Sequence, residues 1–70
     1  MNEHKALLQA QEYVRLPKKD KATGDWVVEY RNNGHWVREA FTTDEAAYIY
    51  FHFKISEFKA QFMTQDKGQR

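Results

Sequence analysis

The order of apolar and polar positions sorts the chain into a few short elements. Ala6, Leu7 and Ala10 recur at helical spacing and predict a short helix or arm over Glu3 to Gln11. Tyr13 to Leu16 reads as a short strand ended by Pro17, and Lys18 to Asp25 as a charged loop closed by Gly24. Asp25 to Arg31 is the clearest strand: Trp26, Val28 and Tyr30 alternate with Val27, Glu29 and Arg31. Asn32-Asn33-Gly34 predicts a tight hairpin, because Asn-Gly tolerates the positive φ angles of a type I′ turn, and His35 to Phe41 returns as the next strand. Thr42-Thr43-Asp44-Glu45 predicts a helix start, with Thr42 bonding the amide of Glu45 and the Glu45 carboxylate reaching back. Ala47, Phe51, Ile55, Phe58 and Phe62 then form one apolar helical stripe.

These elements predict a single α+β domain: an arm or short helix over 1–11, a three-stranded antiparallel sheet over 12–41, a helix over 42–64 packed on one face, and a frayed tail over 65–70. The strand face expected to meet the helix is Val14, Leu16, Trp26, Val28, Tyr30, Val37 and Phe41. Trp26 and Phe58 are expected in the core on facing elements. The free face is expected to show Tyr13, Arg15, Val27, Glu29, Arg31, Trp36 and Arg38. Ala46, Ile49, Phe53, Ala60 and Met63 make a second apolar set on the far side of the helix. An exposed apolar patch usually marks a contact. Ile49 and Phe53 are therefore candidate protein contacts, to be covered by Leu7 and Leu8 of the N-terminal segment, by a homodimer partner or by another protein.

Composition narrows the classes. Seventy residues hold one domain, whose core alone gives only a few kcal/mol of stability. There is no cysteine, so neither a disulfide nor a thiolate metal site staples it, which points to the cytoplasm. Met1 to Ala10 reads as neither a signal peptide nor a membrane span. The net charge of +1 hides an uneven distribution: Arg15, Lys18, Lys19, Lys21, Arg31 and Arg38 outnumber Asp20, Asp25 and Glu29 between positions 15 and 38. His4, His35 and His52 fall on three elements with no ligand spacing, so no metal site is expected. Asp44 and Glu45 suit a helix start better than acid–base chemistry. No phosphate-cradling glycine loop or nucleophile motif is present. The expectation is a non-enzymatic binding domain with no cofactor and no small-molecule substrate.

The free sheet face carries the functional expectation. Arg15, Arg31 and Arg38, joined by Lys18 and Lys19, are candidate nucleic-acid contacts, since arginine reaches phosphates or the O6 and N7 acceptors of guanine. Trp36 offers packing against a sugar or a thymine methyl. Tyr13 and Glu29 are expected to support them, with Glu29 opposite Arg38 or Trp36 according to turn length.

Three stretches carry a resemblance. Asp25-Trp26-Val27-Val28-Glu29-Tyr30-Arg31, then Trp36-Val37-Arg38, then Phe41-Thr42-Thr43-Asp44-Glu45-Ala46-Ala47 resemble the plant ethylene-response-factor type DNA-binding domain. They are also similar to the arm-site-binding N-terminal domain of phage tyrosine integrases. The resemblance implies a three-stranded sheet that reads the DNA major groove, backed by a helix. It places Arg15, Arg31 and Trp36 at DNA-facing positions, Glu29 at a supporting glutamate, and Trp26, Val28, Phe41, Ala47 and Phe51 in the core. Here the first strand keeps one arginine, the following loop is longer, and the last strand has one extra residue before Phe41. Two readings of different class stay open: a double-stranded DNA-binding module, as a small regulator or recombination accessory, and a small phage-type inhibitor or adaptor of the anti-CRISPR or host-takeover class, bound to a protein or nucleoprotein target.

Overall fold

The computed structural model describes residues 2–68, with side chains from Asn2 to Thr64. The chain is an α+β fold of α1 (Glu3–Tyr13), β1 (Lys18–Lys19), β2 (Trp26–Asn32), β3 (His35–Phe41) and α2 (Asp44–Gly68). The three strands form one antiparallel sheet in the order β1-β2-β3. At the hairpin, Asn33 (φ 53°) and Gly34 (φ 82°) both take positive φ, as the Asn-Gly pair predicts. A two-residue turn fixes Asn32 opposite His35, and every later pair follows. Trp26–Phe41, Val28–Glu39 and Tyr30–Val37 share the helix-facing side. Val27–Ala40, Glu29–Arg38 and Arg31–Trp36 share the other.

The first strand differs from its expected place. α1 continues through Tyr13, so that residue is helical. Val14 then makes a single bridge to Tyr30, and the regular ladder begins only at β1, where Lys18 pairs with Val27. From Val14 to Lys18 the chain advances four residues while β2 advances three, from Tyr30 to Val27. That surplus residue is a bulge, and it falls at Leu16-Pro17. Proline has no amide to give a ladder, which suits an interruption there. The bulge turns Leu16 outward at 68% exposure, although simple alternation assigns it to the core.

α2 starts one residue later than the capping pattern predicts. The Thr43 hydroxyl accepts from the amide of Ala46 at 3.2 Å, so Thr43, not Thr42, is the cap. Asp44 bonds the amide of Glu45 with its own carboxylate, so the reciprocal glutamate arm of a capping box does not form. The helix also passes its expected end at 64 and reaches Gly68; positions 69–70 of the expected tail lie outside the described residues.

The core comprises Ala6, Ala10, Val14, Val28, Tyr30, Ala47, Ile55 and Phe62, with Val28 fully enclosed. Trp26 and Phe58 are half-buried and pack against it instead of forming its centre. The N-terminal half of α2 crosses β2 and β3, where the Tyr50 ring lies 5.1 Å from Phe41 and 6.2 Å from Tyr30. Its C-terminal half packs on α1, where Tyr13 lies 5.6 Å from Phe58 and 5.2 Å from Phe62. Ala6 and Ala10 are fully buried there, their small side chains letting α1 approach closely. α1 thus covers the Phe51–Phe62 side of α2. It leaves Ile49 and Phe53 uncovered in the single chain, at 66% and 57% exposure, and Leu8 of α1 is exposed as well.

Candidate nucleic-acid interface

The open face of the sheet is built around one indole. Trp36, 38% exposed on β3, has the Arg15 guanidinium 4.1 Å from its ring centre and that of Arg31 at 5.3 Å. Arg31 sits directly opposite Trp36 in the β2–β3 ladder. Arg15 arrives from the bridged segment before β1, fixed by its backbone amide, which donates to the Glu29 carbonyl at 2.8 Å. A guanidinium on an aromatic face is held flat while the N–H groups at its rim stay free to bond.

The bulge at Leu16-Pro17 completes this arrangement. Arg15 and Lys18 are three positions apart, a spacing that regular alternation sends to opposite faces. The extra residue brings both to the open face, where Arg15 Nη1 lies 3.2 Å and Lys18 Nζ 3.8 Å from Glu29 Oε1. Glu29 is opposite Arg38 in register, yet its carboxylate serves Arg15 and Lys18. Arg38 instead pairs with Asp20.

Asp20 had no expected role and proves to organise the adjoining loop. Its Oδ1 accepts from the Ala22 amide at 2.9 Å, its own amide donates to the Asp25 carbonyl, and its carbonyl accepts from the Gly24 amide. Gly24 takes φ 81°, a conformation that favours glycine and closes this turn. The Ala22 amide, with Arg38 adding its charge, holds the Asp20 carboxyl below its ordinary value. An aspartate two residues before a bonded amide, with glycine four residues on, is an Asx-turn signal available in the sequence.

Two expected contacts fall elsewhere. Lys19 pairs with Trp26 and so lies on the helix-facing side of the sheet, because adjacent strand residues point oppositely. Tyr13 belongs to the aromatic cluster with Phe58 and Phe62, not to the open face. The assembled face is therefore Arg15, Lys18, Arg31, Trp36 and Arg38, with Glu29 and Asp20 as its anchors. Four cations against two carboxylates leave it net positive. Val27 is buried beneath this polar layer, apart from the main core.

No known protein family, curated protein or solved structure matches this chain.

A second polar group lies at the hairpin end. There a cleft of about 460 Å³ opens between the turn and the helices, lined in part by Gln9, Tyr30, Asn33, Lys54 and Glu57. Lys54 is only 15% exposed; its ammonium sits 4.2 Å from the Tyr30 ring centre and 2.9 Å from Glu57 Oε1. Burial raises the pKa of the neighbouring Tyr50 hydroxyl well above the ordinary 10.0. This lysine lies on the sheet-facing side of α2 and is satisfied by the pair and the ring, a structural use of a charged residue. Among the described residues, no cluster of His, Cys, Asp and Glu is arranged to hold a metal, and no helix is long and apolar enough to cross a membrane.

Proposed function

We propose that this protein binds double-stranded DNA with the open face of its sheet. The observation that carries the reading is the stack of Arg15 and Arg31 on the exposed indole of Trp36. Arg31 and Arg15, both held against one ring, present donor edges suited to phosphate oxygens or to the N7 and O6 acceptors of guanine. Lys18 and Arg38 flank the stack and supply long-range attraction. Glu29 and Asp20 restrain three of the four cations at their roots, so less side-chain freedom is lost on binding. The same residues that carry the resemblance to sheet-reading DNA-binding domains, Arg31 and Trp36 foremost, form the centre of the face. A small regulator or an accessory to recombination in the cytoplasm fits this reading.

Anisotropy titrations with mixed-sequence duplex at about 50 and about 200 mM salt test it. Binding should weaken steeply with salt. Arg31→Ala should weaken it further and flatten the slope of log affinity against log salt by about one unit if Arg31 holds a phosphate. If Arg31 reads a guanine edge, its loss should cost about 1–3 kcal/mol on the preferred sequence alone. Trp36→Ala should lower affinity with little change of slope. Lys59→Ala, a change at a lysine that pairs with Glu3 on the helices, should do neither. Equal effects from Lys59 and Arg31 would reject the sheet face as the site. Absence of binding at low salt would reject DNA and turn the same stack into an anchor for a protein or nucleoprotein target, as in the inhibitor class.

A further inference from the structure

The outer edge of β3 has no strand beside it among the described residues. The two-residue turn fixes which of its backbone groups are open. Asn32 and His35 flank the turn, so the odd-numbered residues of β3 exchange hydrogen bonds with β2. Trp36, Arg38 and Ala40 therefore direct their amides and carbonyls outward. β2 keeps the same phase: the Glu29 carbonyl, on the residue opposite Arg38, turns away from β3 and accepts from Arg15. A regular seven-residue edge, His35–Phe41, with neither proline nor bulge is a ready template for another strand.

A chain of aromatic contacts leads from that strand to exposed apolar side chains. Tyr50 reaches β3 through Phe41, and the Phe53 ring lies 6.3 Å from Tyr50. At about 100° per residue, Phe53 and Ile49 continue around α2 beyond Tyr50, in the direction away from the α1-facing Phe51 and Ile55. The two exposed side chains thus lie on the flank of α2 away from α1, next around the helix from Tyr50, which meets β3 at Phe41.

We propose that a second copy of this chain docks on this edge, its β3 antiparallel to the first across a two-fold axis, making a continuous six-stranded sheet. Self-complementarity selects the copy and the register. The axis must keep open face with open face, so it passes through the level of one β3 residue. Centred on Val37, it sets Trp36 opposite Arg38 of the second copy and His35 opposite Glu39 of the second copy, each pairing occurring twice. The open face gains two cation–ring contacts and the helix side gains two imidazole–carboxylate pairs. Centred on Arg38 or on Glu39, the axis brings like charges face to face. In the Val37 register, Trp36 and Arg38 also form the doubly bonded pair that their outward backbone groups require. Ile49 and Phe53 of both copies close over the helix side of the seam. The docking shares Trp36 and Arg38 with the open face, and it is tested without nucleic acid.

Sedimentation of the full chain from about 5 to about 200 µM measures it, because a dimer's population depends on concentration. The expected mass at the upper end is twice the 8.4 kDa of one chain. Phe53→Asp puts a charge into the seam at a site where the single chain is exposed. Arg38→Pro removes an outward amide that the β2 ladder does not use and that pairs with Trp36 of the second copy in the Val37 register. Each should return the mass to one chain with the helical circular dichroism retained. One-chain mass throughout would overturn the proposal, and so would a dimer that survives both changes. If Arg38→Pro unfolds the chain, Phe53→Asp alone decides between the two outcomes.

Discussion

At the scale of single residues, position on the sheet decides what each charge does. Glu29 and Asp20 are the two carboxylates of the open face, and both hold arginines. Asp20 is the more telling because its carboxyl is also bound by a backbone amide. Its pKa is depressed, first by Ala22 and then by Arg38. A depressed carboxyl contributes stability above its unfolded pKa and loses it as pH falls through the lower folded value. An NMR titration should therefore place Asp20 below the ordinary 3.8, and Arg38→Ala should raise it only part of the way back. A full return to 3.8 would mean that the Ala22 amide contributes nothing. Arg31, Trp36, Arg38 and Glu29 were legible in the sequence, since the period-two alternation beside a two-residue turn fixes their face. Arg15 reaches that face, as strand alternation predicts, although its segment forms only a single bridge. Tyr13 was misplaced because α1 runs two residues beyond Gln11, and aromatic packing on Phe58 and Phe62 outweighs strand propensity there.

At the scale of elements, boundaries carry most of the differences. The Thr42-x-x-Glu45 pattern predicts a capping box on Thr42, but the backbone turns into the helix one residue later and the Thr43 hydroxyl takes the Ala46 amide. Thr43→Ala should cost about 1 kcal/mol, the usual loss for a threonine cap, and Thr42→Ala much less. Chemical denaturation of the two variants separates them; a larger loss at Thr42 would make that residue the cap. The bulge before β1 was not legible, because nothing in local alternation says that one residue is surplus. It becomes visible only when the Val14–Tyr30 bridge and the Lys18–Val27 pair are compared. Its effect is nonetheless chemical, since it puts Lys18 on the open face and Lys19 on the other.

At the scale of the whole molecule, the core is divided between a sheet–helix layer and a helix–helix layer. The apolar stripe of α2 was expected to serve the sheet alone. Instead Ala47 and Tyr50 serve the sheet layer, while Phe58 and Phe62 serve α1. Phe62 is buried and Phe58 only partly so. Phe62→Ala should therefore cost about 3–5 kcal/mol, close to the stability of a domain this small, and Phe58→Ala about 1–3 kcal/mol. Thermal melts of both variants give the order, and a larger loss at Phe58 would place the centre of the helix pair one turn earlier. The helix pair also joins distant parts of the chain: Glu3 meets Lys59 at 3.2 Å, and Tyr13 meets Phe62. The hairpin needs only a two-residue closure and forms on a microsecond scale. The α1–α2 layer closes over a separation of about fifty residues, as from Tyr13 to Phe62, a slow, non-local step. During synthesis the hairpin can thus be finished while Ala6, Leu7 and Ala10 still face water, and a growing chain that stops short of Ile55 offers that bare side of α1 to chaperones or to its neighbours.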